Sequence, residues 1–183
     1  EPPPEIGEAA YLEFVNSCTV ALMAGGEGSR LKSMAGTEGF HKVSLLLPGG
    51  DTMIQRTIRM YRGQGFRQFV ALVYHQAQSI VDVLGDGSDL GVNIVYSYDP
   101  ERPVGKGGAI LNALKNGSIP RSKNLIVHNP DDQIVGYPGS FPRDIVRGHL
   151  AGVSKGMLAT AVVVEETRYA YTGMKVNNGV IEE

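Results

Sequence analysis

Three glycines in four positions, Gly25-Gly26-Glu27-Gly28, followed by Ser29 and Arg30, make the most chemically suggestive segment of this chain. Glycines leave main-chain N–H groups uncovered, so such a loop can curl around phosphate oxygens. Ser29 adds a hydroxyl donor, and Arg30 adds a forked, permanently charged donor suited to phosphate. A tight strand-to-helix turn with a surface arginine has the same composition. The segment Asn129-Pro130-Asp131-Asp132 offers two adjacent carboxylates. Such a pair suits Mg²⁺ held by one or two carboxylates together with substrate phosphates. Pro-Asp and Asp-Asp are equally good solvated turns. Lys42 follows the glycine loop by a dozen residues; a lone lysine is usually a surface residue.

Rival chemistries fail at specific positions. A Walker loop needs Gly-x-x-x-x-Gly-Lys-Ser/Thr, and the glycine loop has Arg30 in place of that lysine. Gly105-Lys106 lacks both the earlier glycine and the following hydroxyl. The dinucleotide fingerprint requires glycine at 31, where the chain has Leu31. His41, His75, His128 and His149 show no metal-ligand spacing and read as structural or surface residues. There is no Gly-x-Ser-x-Gly elbow, and Cys18 opens an apolar run with no evident base nearby. Covalent catalysis by a side chain is therefore unsupported.

The elements that must position these residues follow from the apolar pattern. Cys18–Ala24 is an apolar run closed by glycines, the signature of a strand buried on both faces. Further strands are predicted at Phe69–Tyr74, Val92–Tyr96, Asn124–His128 and Met157–Val164, with a short apolar run at Val43–Leu47. Helices are predicted at about Glu8–Val15, Asp51–Gln64, Gln76–Leu84, Gly108–Lys115 and Pro142–Ala151. Thr52 and Gln55 have capping-box spacing at the start of the second. Tyr171–Ile181 reads as a hairpin turning at Asn177-Asn178-Gly179. Strands alternating with helices imply βαβ crossovers, hence an α/β fold: a three-layer α/β/α sandwich around a mainly parallel, mixed sheet. In such sheets ligands bind beyond the carboxyl ends of the strands. Gly25–Arg30 and Asn129–Asp132 both follow strands, so they open on one sheet edge.

Composition narrows the partners. The 183 residues suit one domain, with residues 1–17 as a tail carrying a short helix and 18–183 as the core. A net charge of −2 gives no basic field for nucleic acid, so a phosphate ligand must be held locally. One cysteine allows no intrachain disulfide and fits a reducing, cytoplasmic setting. No apolar run approaches a membrane span, and the Glu1-Pro2-Pro3-Pro4-Glu5 start is not a signal peptide. A homo-oligomer is expected.

Together the motifs resemble the sugar-phosphate nucleotidylyltransferases, the pyrophosphorylases that make nucleotide sugars, which have a Rossmann-like nucleotidyltransferase fold. Gly25-Gly26-Glu27-Gly28-Ser29-Arg30-Leu31 is similar to that family's Gly-Gly-x-Gly-Thr-Arg-Leu. His41-Lys42, before an apolar stretch ending at Pro48, stands where the family has Pro-Lys. Asp51–Ile58, the Leu84-Gly85-Asp86-Gly87-Ser88 segment and Pro103–Ala109 match further segments in order. Asn129-Pro130-Asp131 resembles Asn-Gly-Asp, whose aspartate binds magnesium. The departures are Ser29, His41, Lys106, Gly107 and Pro130.

The resemblance implies transfer of a nucleoside monophosphate from an NTP to a sugar 1-phosphate, with Mg²⁺ as cofactor. It implies catalytic roles for Arg30, Lys42 and Asp131, with Asp131 and Asp132 at the metal. It implies nucleotide contacts from Leu22, Ala24, Gly25, Gly26, Gly28, Ser29, Asp99, Gly105 and Gly108. Asp99 falls near the place where thymidylyl members keep a base-reading glutamine. A carboxylate there accepts from the N–H groups of guanine, which points to GTP with a mannose- or heptose-type 1-phosphate. Family members continue into a Glu-Lys-Pro segment and a second metal-binding aspartate. The chain is thus expected to be truncated, with a catalytically weak regulatory or nucleotide-sugar-binding subunit as the alternative function.

Overall fold

Cys18–Ala24 forms the central strand, β1, because nearly every side chain along it finds an apolar neighbour on one face or the other. The computed structural model describes residues 7–26, 41–121, 124–163, 175–177 and 180–182, the last two stretches as backbone only. Helix α1 (Glu8–Asn16) precedes β1. Then come a 3-10 turn at Lys42–Ser44, α2 (Met53–Arg62), β2 (Gln68–Val73), α3 (Ala77–Leu84), a 3-10 turn at Ser88–Leu90, and β3 (Asn93–Tyr98). Helix α4 (Gly105–Lys115), β4 (Asn124–His128) and α5 (Phe141–Val153) follow. Strands β5 (Lys175–Asn177) and β6 (Val180–Glu182) form an antiparallel pair apart from the main sheet.

The main sheet has the order β3-β2-β1-β4 and all three pairings are parallel. Alternation along β1 decides the layers. Val20, Leu22 and Ala24 face a core built with Tyr11, Phe14, Ile54, Ile58, Ile80 and Val146, which come from α1, α2, α3 and α5. Ala21 faces a smaller core with Val70, Leu72, Ala109 and Ala113, the last two from α4. Helices therefore cover both faces, giving the three-layer α/β/α arrangement. Each fully buried Val or Leu contributes about 1.5–3 kcal/mol by leaving water, before the entropy of ordering it is subtracted.

The capping box at α2 is present: Thr52 Oγ1 accepts from the Gln55 N–H, and Gln55 Oε1 accepts from the Thr52 N–H at 2.9 Å. Helix α1 is tied into the fold by Arg143 of α5, whose guanidinium grips both oxygens of Glu8 at 2.7 and 3.0 Å and stacks over Tyr11. Two expectations change. Helix α4 starts at Gly105 rather than Gly108; Val104 stands at its N-cap without a side-chain cap, and the Val104 N–H donates to Asp99, which orders the loop leading in. The strand expected at Met157–Val164 is absent over 157–163, where no ladder partner is found among the described residues and Leu158 is 97% exposed. The hairpin expectation is met at Lys175–Asn177 and Val180–Glu182, while 171–174 and 178–179 lie outside the described residues.

Candidate functional site

The site sits where the strand order reverses. From β1 the chain moves outward to β2 and β3, then jumps back past β1 to β4. Such switch points leave a crevice beyond the carboxyl ends of the two diverging strands. Here the β1–β4 ladder stops at Leu22↔His128, whereas β1 stays paired to β2 as far as Ala24↔Val73. Beyond its last pairing with β4, β1 keeps only β2 as a ladder partner, and Gly25 and Gly26 follow directly. A Cβ on Gly25 would make only ordinary contact, 3.5 Å from Tyr74 Cβ, and one on Gly26 would meet nothing within 4 Å. Neither glycine is needed for packing, so the backbone stands open toward the crevice.

Lys42 reaches across from its 3-10 turn to form an ion pair with Asp131 Oδ2, 89 positions along the chain. Two residues that looked separate in the sequence therefore meet at the β1/β4 edge. Both side chains are partly exposed, at 24% and 35%, so the pair is open to a ligand. The aspartate loop is held firmly from below. The Asp132 N–H donates to the Asn129 carbonyl at 2.9 Å, and the Gln133 N–H donates to the Asp131 carbonyl at 3.0 Å. Gln133 Nε2 donates to Thr57 Oγ1 at 3.2 Å, to the Met53 carbonyl at 3.1 Å and to the Pro130 carbonyl, stapling the loop to α2. Asp132 is held within its own loop, its Oδ2 accepting from Asn129 Nδ2 at 2.8 Å.

His128 supports this loop from the core. Burial holds its imidazole below the ordinary histidine value, so the ring is neutral. Its Nε2 lies 3.2 Å from the Asp132 carbonyl, which can only accept, and its Nδ1 lies 3.0 Å from the Tyr61 hydroxyl. The tautomer follows: Nε2–H donates to Asp132 and the Tyr61 O–H donates to Nδ1. Burial pushes the Tyr61 phenol well up, so the hydroxyl keeps its proton. Nothing in the sequence spacing marked Tyr61, His128 and Gln133 as a unit, since their elements meet only in the fold.

Asp99 lies at the carboxyl end of β3, its main-chain N–H bonded to the Val73 carbonyl at 2.9 Å. One carboxylate oxygen takes the Val104 N–H at 3.3 Å, so Asp99 orders the loop leading into α4. Gly105 has φ +72 and nothing near its missing Cβ. Gly108 is different: a Cβ there would lie 2.7 Å from Val104 Cβ, so glycine is required for packing whatever else it does. The side chains of Leu22 and Ala24 point away from the crevice. Both are fully buried in the core under α2, so only their main chain could serve a nucleotide. Gly28, Ser29 and Arg30 lie outside the described residues. Cys18 is 1% exposed, and burial raises its thiol to about 12, which removes it as a nucleophile at neutral pH.

Asp131 and Asp132 supply hard oxygen donors of the type Mg²⁺ takes. Among the described residues no group of three or more His, Cys, Asp or Glu side chains is placed to hold a metal ion. The donor set fits a metal that completes its shell with phosphate oxygens and water, and does not fit a closed protein cage. A groove of about 390 Å³ lies elsewhere, lined by Arg56, Thr57, Arg59, Met60, His128, Gln133 and Ile134. None of Lys42, Asp99, Gly105 or Asp131 lines it.

Comparison with known proteins gives the family and the fold. The family model described as Nucleotidyl transferase matches residues 20–182. The N-acetylmuramate alpha-1-phosphate uridylyltransferase of Neisseria meningitidis serogroup B is 32% identical over 93 residues, covering 51% of this chain and 39% of that protein. HddC from Yersinia pseudotuberculosis, solved in complex with GMP-PN, is 30% identical, with a TM-score of 0.51 over 62% of this chain and 47% of that one. A UDP-glucose pyrophosphorylase complexed with UDP-glucose shares the fold at 15% identity, with a TM-score of 0.52 over 75% of this chain and 53% of that one. The chain thus spans less than half the length of the first two relatives.

Proposed function

Because the chain belongs to the nucleotidyl transferase family, we propose that it carries the nucleotide-binding core of a sugar-1-phosphate nucleotidylyltransferase. It would transfer a nucleoside monophosphate from an NTP to a sugar 1-phosphate and release pyrophosphate. The observation that carries this reading is the meeting of Lys42 and Asp131 at the open end of β1, beside Gly25 and Gly26.

The chemistry needs no protein nucleophile. An oxygen of the sugar phosphate attacks the α-phosphorus in line, the bond from that phosphorus to the α,β-bridging oxygen breaks, and pyrophosphate leaves with that electron pair. Catalysis is then positioning and charge stabilisation. The Gly25–Gly26 main chain, with Gly28, Ser29 and Arg30, holds the triphosphate, and Arg30 balances the charge of the departing pyrophosphate. Lys42 exchanges its partner Asp131 for the α-phosphate. Asp131, with Asp132 beside it, would hold Mg²⁺, which when bound neutralises phosphate charge. The neutral His128 beneath adds no charge to the site and keeps the aspartate loop in place.

The base and sugar extend the reading. Asp99, at the end of β3 beside Gly105 and Gly108, suits guanine, whose N–H groups a carboxylate accepts. The likeness to HddC, solved with GMP-PN, supports GTP. A mannose- or heptose-type 1-phosphate, a cytoplasmic setting and a homo-oligomer belong to the same proposal. Among the described residues no helix is long and apolar enough to cross a membrane. The test is a panel of the four common NTPs and several sugar 1-phosphates with Mg²⁺, followed by pyrophosphate release. Release only when both substrates are present supports the reading; binding of nucleotide sugars without turnover in any combination overturns it in favour of a binding subunit.

A further inference from the structure

The ion pair with Asp131 fixes only the tip of the Lys42 side chain; the main chain beneath it is fixed from α3, by Ser79. Ser79 is buried. Its Oγ accepts from the main-chain N–H of His41 at 2.9 Å, one residue before Lys42 and 38 positions away in the chain. Its single hydroxyl proton goes to the Gln76 carbonyl at 2.8 Å. Ser44 Oγ lies 3.3 Å from Ser79 Oγ and donates to the His41 carbonyl at 2.7 Å. Both main-chain polar groups of His41 are therefore taken by buried serine hydroxyls.

The bond from Ser79 to the Gln76 carbonyl is local, of a kind that serines often make with nearby backbone. The bond from His41 is not local, and its anchor is rigid. Gln76 has φ 51 and ψ 34, the one non-glycine with positive φ among the described residues. A side chain in that region persists only where its surroundings hold it. Here the Gln76 carbonyl is held twice, by the Ser79 N–H at 3.1 Å and by Ser79 Oγ. Gln76 stands three residues beyond Val73, where β2 is paired to Ala24 on one side and to Tyr98 on the other. Ser79 thus joins the turn of Lys42 to the carboxyl end of the sheet. Sugar-phosphate nucleotidylyltransferases have proline where this chain has His41. Proline has no N–H to give, so the tie depends on that departure.

We propose that Ser79 is a positioning residue for Lys42. It touches no substrate, and it acts by fixing the main chain from which Lys42 reaches Asp131 and, in the proposed function, the α-phosphate.

Ser79→Ala removes the acceptor and keeps a good helix former in the first turn of α3. Hydrogen exchange read by NMR should show the His41 amide exchanging at least about tenfold faster in this variant. The side-chain carboxylate ¹³C resonance of Asp131 should move toward the value it takes in K42M. The kinetic arm rests on the proposed function. In pyrophosphate release, kcat should fall about tenfold in S79A, because a misplaced charge stabilises the transition state less well. The same substitution in a K42M background should leave kcat within about twofold, since Ser79 acts only through Lys42. Losses that multiply in the double variant would show a general structural role and overturn the inference. An unchanged His41 amide, or an Asp131 resonance that stays in place in S79A, overturns it as well. If the wild-type chain turns over no substrate pair, the proposed function fails, while the exchange rate and the Asp131 resonance still decide whether Ser79 positions Lys42.

Discussion

Replacing Asp131 by Asn keeps the shape of the side chain and removes its charge, so it separates holding the fold from doing the chemistry. The ion pair it breaks joins side chains that are 24% and 35% exposed. Two unit charges about 4 Å apart attract by about 4 kcal/mol at an effective dielectric constant of about 20. Desolvation and lost side-chain freedom return most of that, and pairs this open contribute at most about 1 kcal/mol net. For a chain of this length that corresponds to a fall in Tm of about 2–4 °C. A group acting on phosphate charge in the transition state is worth more, and losing one slows turnover by about 100-fold or more. Asp131→Asn should therefore melt within about 4 °C of the wild type and lose at least about 100-fold in pyrophosphate release. Differential scanning calorimetry and a coupled pyrophosphate assay on the same preparation read both numbers. A near-normal rate would place the site elsewhere, and a fall in Tm on the order of 10 °C would make Asp131 a structural residue.

Three further outcomes are expected, the first from the proposed function and the others from the buried histidines. Arg30→Ala should lower turnover by at least about 100-fold with little change in Tm, and unaltered kinetics would remove it from the triphosphate site. Tyr61→Phe leaves the buried Nδ1 of His128 without its donor, so urea unfolding should show a loss of about 1–3 kcal/mol; a neutral substitution would contradict the assigned tautomer. Both His41 and His128 have folded-state values below the ordinary one, with burial as the main cause. The unfolded chain takes up protons from about pH 6.5 downward, before the folded one does, so stability falls as pH drops through that window and levels off below the folded values. Urea midpoints between about pH 7.5 and pH 5 check the sign, and a flat profile would show that the two rings are not held neutral.

What the sequence revealed depended on whether the signal was local. Cys18–Ala24 and Asn124–His128 were legible as strands because apolar runs closed by turn residues need no distant information. The Thr52–Gln55 cap was legible for the same reason. Met157–Val163 carries an equally apolar pattern, yet a strand also needs a ladder, and the pattern cannot say whether one is offered. Leu22 and Ala24 stand next to the glycine loop in sequence, but strand alternation turns their side chains into the core. The pairing of Lys42 with Asp131, and the support of His128 by Tyr61, join residues 89 and 67 positions apart. Only the sheet order brings them together. His41 read as structural or surface; it is deeply buried, and its polar partners come from α3 and its own turn.

The central claim is attack at the α-phosphorus of an NTP bound at the carboxyl end of β1. Supplying the chain with Mg²⁺, a sugar 1-phosphate and an NTP labelled with ³²P on its γ-phosphate tests this directly. The account predicts that the label leaves as pyrophosphate while an equal amount of unlabelled nucleotide sugar forms. Label released as orthophosphate, or transferred to the sugar, would place the attack at the γ-phosphorus and contradict the account.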